Sequence, residues 1–368
     1  MASIAVYMKF TNPEKLDFYV VLKRRIDEYF VSTSQSQYAD WKMITKIILW
    51  LGTWLGSYLL ILFGHLSVLQ FFGVGLFHMF THLMIAFNIA HDANHGSISK
   101  HPFWNNLLSH SLDLVGANAL LWRINHNEVH HTFVNVDGMD NSIEGYKIFR
   151  FTNKDKREPI HRFQHLYATF FYGLSTLNYV LTKDFKLFKE LPEKTRKRIS
   201  SPKFWLGLVA SKLFYVVYML VIPILFTDIP WQYIVTVFVL GHFMIGLALA
   251  IVFQTGHLTE GTHYPDVNSE GDIEENWAIH ILQTTGDYGV KNPLIQWLFG
   301  GINIHNVHHL FPKICHTHYY KLTDVIKLTA KEYGIPYREI PGFTEALISH
   351  YALLKKLGNS DCQDMKMA

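Results

Sequence analysis

Four apolar runs, grouped as two close pairs, dominate the hydrophobic pattern of the chain. Residues 44–64 carry one charge, Lys46, near their start, and residues 66–90 carry no Lys, Arg, Asp or Glu. Each run is at least as long as the roughly 20 residues that an α-helix needs to cross a bilayer. Gly64-His65 leaves room only for a hairpin, so both ends of this pair lie on one side. Residues 204–226 and 231–253 form a second pair around Thr227-Asp-Ile-Pro230. Lys212 interrupts the third run and is expected to snorkel or to line a channel.

The remaining pattern is amphipathic or polar. Phe18, Val21, Leu22, Ile26 and Phe30 recur at helical spacing among Lys23, Arg24 and Arg25. This predicts a helix lying on the protein or on the membrane surface. Residues 102–124 and 161–181 are apolar but broken, the first by Asn105, Asn106, His110, Asp113 and Arg123. They read as helices in the interface rather than as spans. Residues 260–275 form a polar loop, and helices are expected over 319–333 and 344–357.

Charge placement orients these elements. Neither hairpin connection contains Lys or Arg, whereas Lys183, Lys186, Lys189, Lys194, Arg196, Lys197, Arg198 and Lys203 crowd the other side. The positive-inside rule then places both termini in the cytosol, in a bacterial inner membrane or an endoplasmic-reticulum membrane. The expected fold is all-α: a four-helix transmembrane bundle of two hairpins, with a cytosolic helical cap holding a histidine-rich dimetal site. Along the sequence this divides into 1–43, an amphipathic segment; 44–312, the membrane domain with its cap; and 313–368, a helical segment. Composition agrees, with 49% hydrophobic, 15% aromatic and only 17% charged residues. A net charge of +3 gives no reason to expect a nucleic-acid partner. Cys315 and Cys362 are the only cysteines, so neither a disulfide framework nor a thiolate metal site is expected. The N-terminus lacks the pattern of a cleavable signal.

Three histidine clusters supply the candidate chemistry: His91-Asp-Ala-Asn-His95, His126-Asn-Glu-Val-His130-His131 and His305-Asn-Val-His308-His309. Residues three or four apart share a helix face, so each cluster presents its imidazoles together. The second span would place His91 and His95 within about 8 Å of the cytosolic surface. The fourth span exits on the same side at Gln254-Thr-Gly-His257, which makes His257 a ninth candidate. Nine imidazoles exceed the capacity of one ion, so two metals are expected. Imidazole suits iron, zinc, copper and nickel, and spacing does not choose among them. Asp92, Asp113, Glu128, Asp140 and Asp287 are candidates for carboxylates that orient the rings. Glu128-x-x-His131 and Glu260-x-x-His263 match the soluble di-iron motif, but the second lies in a loop, which excludes a bundle of that kind.

The stretches His91-Asp-Ala-Asn-His95, Trp122-Arg-Ile-Asn-His126-Asn-Glu-Val-His130-His131-Thr and Gly301-Ile-Asn-Ile-His305-Asn-Val-His308-His309-Leu-Phe-Pro312 resemble the three histidine boxes of the integral-membrane fatty-acyl desaturases. The resemblance covers about residues 40–340 and is nearest to the acyl-lipid and linoleoyl-CoA-type branch. It implies a di-iron centre on the box histidines and His257, with Gln254 holding a metal-bound water. It implies a double bond formed with O2 and two electrons, in an acyl chain carried on CoA, a carrier protein or a membrane lipid. Two departures stand out. Front-end members usually have Gln where this chain has His305 and Glu where it has Val307. The chain also lacks the His-Pro-Gly-Gly motif of a fused cytochrome b5, since His101-Pro-Phe-Trp does not match. Electrons are therefore expected from a separate cytochrome b5, or from ferredoxin with its reductase.

The sequence also admits other readings. The same scaffold serves hydroxylation, acetylenic-bond formation and ketolation. His78, His82 and His242, inside the spans, would suit a haem-b electron carrier. A metal transporter would place its ligands near the bilayer midplane.

Overall fold

A computed structural model describes residues 8–12, 14–15, 17–144 and 147–360. Cys362 and both chain ends lie outside the described residues. Among the described residues, four helices are long and apolar enough to cross a membrane: Trp41–Phe63, Val68–His95, Pro202–Phe226 and Trp231–His257. Their starts are written in local chemistry. The Asp40 carboxylate accepts from the Met43 amide, and Ser67 and Gln70 form a reciprocal capping box. Ser201 caps the third helix at the Phe204 amide, ahead of Pro202 in its first turn.

The second and fourth helices run past the apolar runs that predict them. The polar residues His91 to His95 and Gln254 to His257 continue the helical turns, so these candidates ride on the spans themselves. Several helices contain a widened turn. The His91 amide donates to Ala86 O, and the Ile222 amide donates to Val217 O. Both skip five residues, a geometry common at functional sites and at interruptions. Pro223, which cannot donate, follows the second of them.

The chain forms two compact units. One comprises residues 38–124 and 170–250 and holds most of the four spans. Here Gly75 meets Val237 Cγ1, which a Cβ would approach to 2.7 Å, and Gly241 meets Met79 Cγ at 2.2 Å. Any side chain at these two positions would push the second and fourth spans apart. Leu59, Phe63, Leu69, Leu206 and Leu225 face outward, as lipid-facing positions should. Lys212 neither snorkels nor lines a channel. Its ammonium is buried, donating to Gly116 O at 2.7 Å and Tyr179 O at 2.8 Å, and pairs with the Asp184 carboxylate. An amine buried in an apolar unit loses its water, and these oxygens replace it.

The other unit comprises residues 1–37, 125–169 and 251–368. Its N-terminal helix, Asp17–Ser32, settles the amphipathic alternative in favour of packing on protein. Phe18, Leu22, Ile26 and Phe30 join Leu322, Ile326 and Ala330 of the helix Tyr319–Glu332 in one buried cluster. Arg25 fastens the pair through Thr329 Oγ1 at 2.9 Å and Glu332 at 2.7 Å. The last helix is Phe343–Asn359. Asp287–Tyr288 and Glu339–Ile340 pair as two short parallel strands.

Candidate metal centre

The second histidine cluster folds as a widened turn, Asn125–His130, closed by the His131 amide on His126 O at 3.0 Å. In a regular helix, residues five apart diverge by more than a quarter turn. Widening lets His126, His130 and His131 flank one face. Their ring centroids lie 5.2 Å (126–130), 4.6 Å (126–131) and 5.8 Å (130–131) apart. The third cluster occupies the short helix His305–Leu310, after a turn in which Gly301 has φ +71°. A Cβ at Gly301 would sit 2.9 Å from His316 Cβ, so both space and conformation require glycine.

His257, on the last turn of the fourth span, joins the two clusters. Its ring lies 4.7 Å from His130, 4.3 Å from His305 and 4.9 Å from His309. His131 stacks on His309 at 4.1 Å and meets His308 at 4.5 Å. Gly256 permits this approach, because a Cβ there would lie 2.8 Å from His305 Cδ2. Seven imidazoles thus form one buried group.

Hydrogen bonds fix which nitrogen of several rings carries the lone pair. His305 Nδ1 is 2.8 Å from Ile302 O, His257 Nδ1 is 3.4 Å from Thr284 O, and His130 Nδ1 is 3.0 Å from Asp140 Oδ1. Carbonyl and carboxylate oxygens only accept, so Nδ1 carries the proton and the lone pair sits on Nε2. Yet Nε2 of His305 lies 2.7 Å from Nε2 of His257 and 3.2 Å from Nε2 of His309. Lone pairs of His257 and His305 facing each other repel in a dry interior; a cation between them converts repulsion into ligation. His130, His257 and His309 bring ligand atoms within 4.8 Å of one another, and so do His131, His308 and His309. Burial, then the neighbouring rings, hold His309 well below the usual histidine pKa, so it is neutral, as a ligand must be. The residues present fit a metal site.

The acids divide. Burial would raise the Asp140 carboxyl, but His130 and the amides of Asn135 and Ser142 hold it below the usual range. Asp140 therefore orients His130 as an anion. Among the described residues, Asp287 makes no hydrogen bond to an imidazole. It accepts from the Asn306 amide at 2.8 Å and from the Tyr337 hydroxyl, so it anchors the third cluster through its backbone. Gln254 donates to Ser142 O at 3.3 Å. Glu128 is exposed. Asp113 pairs with the exposed His110 at 2.6 Å and accepts from the Ala119 amide.

His91 and His95 belong to the unit of the spans. Their rings lie 4.8 Å apart on one face, with the Trp122 ring 5.8 Å from His91 and 6.4 Å from His95. Asp92 Oδ1 is 3.8 Å from His91 Nδ1, beyond hydrogen-bonding reach. Arg123 donates to Asn94 Oδ1 at 3.0 Å between the two histidines in sequence.

Sequence reasoning missed Asn135. It is buried with φ +57°, donates its amide to Asp140 Oδ2 at 2.9 Å, and reaches the carbonyls of His257, His263 and Thr284 at 3.4–3.5 Å. It thereby touches the supports of both His130 and His257. Its place four residues after His131 was the available signal.

A membrane protein with a buried histidine group fit to hold metal is the class that this fold and site define. The family model described as fatty acid desaturase matches residues 66–341, and the chain belongs to that family. Among its relatives, an acyl-lipid (8-3)-desaturase of Physcomitrium patens is 32% identical over 95% of this chain and 74% of its own length. An sn-1 linoleoyl-lipid 6-desaturase of Synechocystis sp. is 32% identical over 96% and 98%. Delta(5) fatty acid desaturase A of Dictyostelium discoideum is 32% identical over 94% and 76%. The activity that goes with the family is oxidoreduction of fatty-acyl chains, by desaturation.

Proposed function

We propose that this desaturase introduces its double bond into an acyl chain carried on a membrane lipid, at a di-iron centre. Its ligands are His91, His95, His126, His130, His131, His257, His305, His308 and His309. The observation that carries the iron site is the convergence of His257 Nε2 and His305 Nε2 at 2.7 Å with both Nδ1 protons directed at carbonyl oxygens. The lipid carrier is supported by relatives whose names specify acyl-lipid and linoleoyl-lipid desaturases.

Bound iron would supply O2 activation and the removal of hydrogen from unactivated C–H bonds. The chain's own residues do the rest. Asp140 and the carbonyls of Ile302 and Thr284 hold three rings in the ligating tautomer. Gln254, one turn before His257, is the residue assigned to a metal-bound water. Asp92, 3.8 Å from His91 Nδ1, offsets charge near that ring. Burial of the cluster excludes water, which protects reactive chemistry and strengthens every electrostatic contact. Electrons come from a separate donor, cytochrome b5 or ferredoxin with its reductase, on the cytosolic side. The Lys/Arg-free hairpins support that orientation and the cytosolic placement of both termini.

Expression in a host lacking the activity, followed by lipid mass spectrometry, tests the reaction. The expected product is a lipid-linked acyl chain two mass units lighter than its substrate. A gain of sixteen units would reassign the protein as a hydroxylase. Iron analysis of the purified protein should give close to two ions per chain.

A further inference from the structure

His257 holds its own ring more loosely than His130 or His305 does. Its Nδ1 lies 3.4 Å from Thr284 O, against 3.0 Å for His130 on Asp140 and 2.8 Å for His305 on Ile302 O. It also sits where a helix runs out of partners, because the last carbonyls of a helix have no amide ahead of them. Here those carbonyls are met from outside. Gly256 O accepts from the Gly286 amide at 2.9 Å, and His257 O lies 3.4 Å from Asn135 Nδ2. Leu258 O lies 2.7 Å from Nδ1 of His350, the shortest of the three. A carbonyl only accepts, so His350 donates.

His350 belongs to the helix Phe343–Asn359, which begins beyond residues 66–341, the stretch that the family model matches. Its side chain is fully buried. Ser349, one position earlier, accepts from the Glu260 amide through Oγ at 2.9 Å. Two adjacent side chains therefore grip the turn after His257, one at a carbonyl and one at an amide. Arg338 holds the same turn further along, donating to Thr259 Oγ1 at 2.8 Å and Thr262 Oγ1 at 2.9 Å. The last helix is itself fixed at its far end. Gln164 Nε2 donates to Leu354 O at 2.7 Å, and Arg150 donates to Leu357 O at 2.7 Å and Ser360 O at 2.8 Å. A Cβ at Gly358 would come within 2.1 Å of His161 O, so the helix end lies directly on that main chain. Burial lowers the His350 pKa to about 4, so the ring grips without adding charge.

We propose, resting on the ligand assignment above, that His350, with Ser349 beside it, is a positioning residue for His257. By holding Leu258 O it sets the main chain from which the His257 ring reaches His130, His305 and His309. The last helix thereby becomes a working part of the metal site, although His350 acts one residue away from the ligand. Loss of this grip frees the final turn of the fourth span to shift, and the ligand geometry changes with it.

The test strips metal from the purified full chain in detergent and titrates back Co(II), whose visible bands report ligand geometry. His350→Leu is expected to weaken Co(II) binding by roughly 10–100-fold, the usual loss when an outer support is removed. Its bands at saturation should differ from those of wild type. His350→Asn, whose side-chain amide can donate in place of Nδ1, should recover most of the affinity and the wild-type bands. Ser349→Ala should weaken binding in the same direction, by less. Tyr351→Phe breaks a bond of the same helix that does not involve the turn, Oη to Thr169 Oγ1 at 2.6 Å, and should bind as wild type. Wild-type affinity and bands in His350→Leu would overturn the proposal. So would an equal loss in His350→Leu and Tyr351→Phe, which would mean that any loosening of the helix suffices. If His350→Leu does not fold, Ser349→Ala decides: weakened binding supports the grip, and wild-type binding overturns it. Wild-type protein that takes up no Co(II) would instead defeat the ligand assignment itself.

Discussion

The molecule contains two populations of buried histidine, and their hydrogen bonds tell them apart. Within the spans, His82 uses Nδ1 on His78 O at 2.9 Å and Nε2 on Tyr218 Oη at 2.7 Å. His242 uses Nε2 on Tyr215 Oη at 2.8 Å and Nδ1 on Thr176 Oγ1 at 3.1 Å, and His78 meets Ser57 Oγ at 2.8 Å. These rings are bonded to neighbours of ordinary chemistry, which favours helix-to-helix fastening over haem ligation. In the other unit, His257, His305 and His309 turn nitrogens toward one another. Burial is common to both populations. On the function proposed above, a nitrogen that faces another nitrogen is a ligand, whereas a nitrogen that faces a hydroxyl is a fastener.

The sharpest way to break that distinction is to remove one ring of each kind. Alanine at His130, His257 or His308 should lower bound iron and abolish turnover. Glutamine at His82 or His242, which retains a donor and an acceptor, should leave iron content near wild type. Metal analysis of the purified variants decides, and equal iron loss in both groups would erase the distinction.

A smaller effect is expected one bond further out. Asp140→Asn keeps the shape but loses the anion facing His130 Nδ1. Metal affinity or activity should fall by roughly 10–100-fold, the usual consequence of removing such a partner. Titration of iron back into stripped protein measures it, and unchanged affinity would show that Asp140 merely closes its loop.

The smallest effect concerns pH. Burial pushes Asp287 up to about 7 from an ordinary 3.8, against the hydrogen bonds of Tyr337 and the Asn306 amide. A carboxyl whose folded pKa is raised adds stability below its unfolded pKa, and that contribution is lost as pH climbs through 7. Asp287→Asn should therefore flatten the dependence of Tm on pH between about 4 and 7 in detergent solution. A wild-type slope in the variant would assign the pH response to another group.

The spans were legible because composition alone specifies them. Their polar ends were not, since His91 to His95 and Gln254 to His257 continue helices whose apolar signal has stopped. The histidine groups were legible from spacing, but the tautomers were not. They depend on main-chain oxygens of Ile302 and Thr284, which have no side-chain signature. Lys212 looked anomalous because its partner, Asp184, lies 28 positions earlier and outside the third run. Asp113 and Glu128 drew attention by sequence proximity to the histidines, yet one is bonded to His110 and the other is exposed. Asn135 escaped notice because its role rests on a left-handed backbone and on several distant carbonyls.

His257 rides on the final turn of a 27-residue helix, a rod about 40 Å long at 1.5 Å per residue. Such a rod answers a change in hydrocarbon thickness by tilting. Tilt displaces the ends of a rod more than its middle, and this end carries a ring of the histidine cluster. With His257 a ligand, as proposed, bilayer thickness would become a mechanical input to ligand geometry, one that requires no regulatory segment.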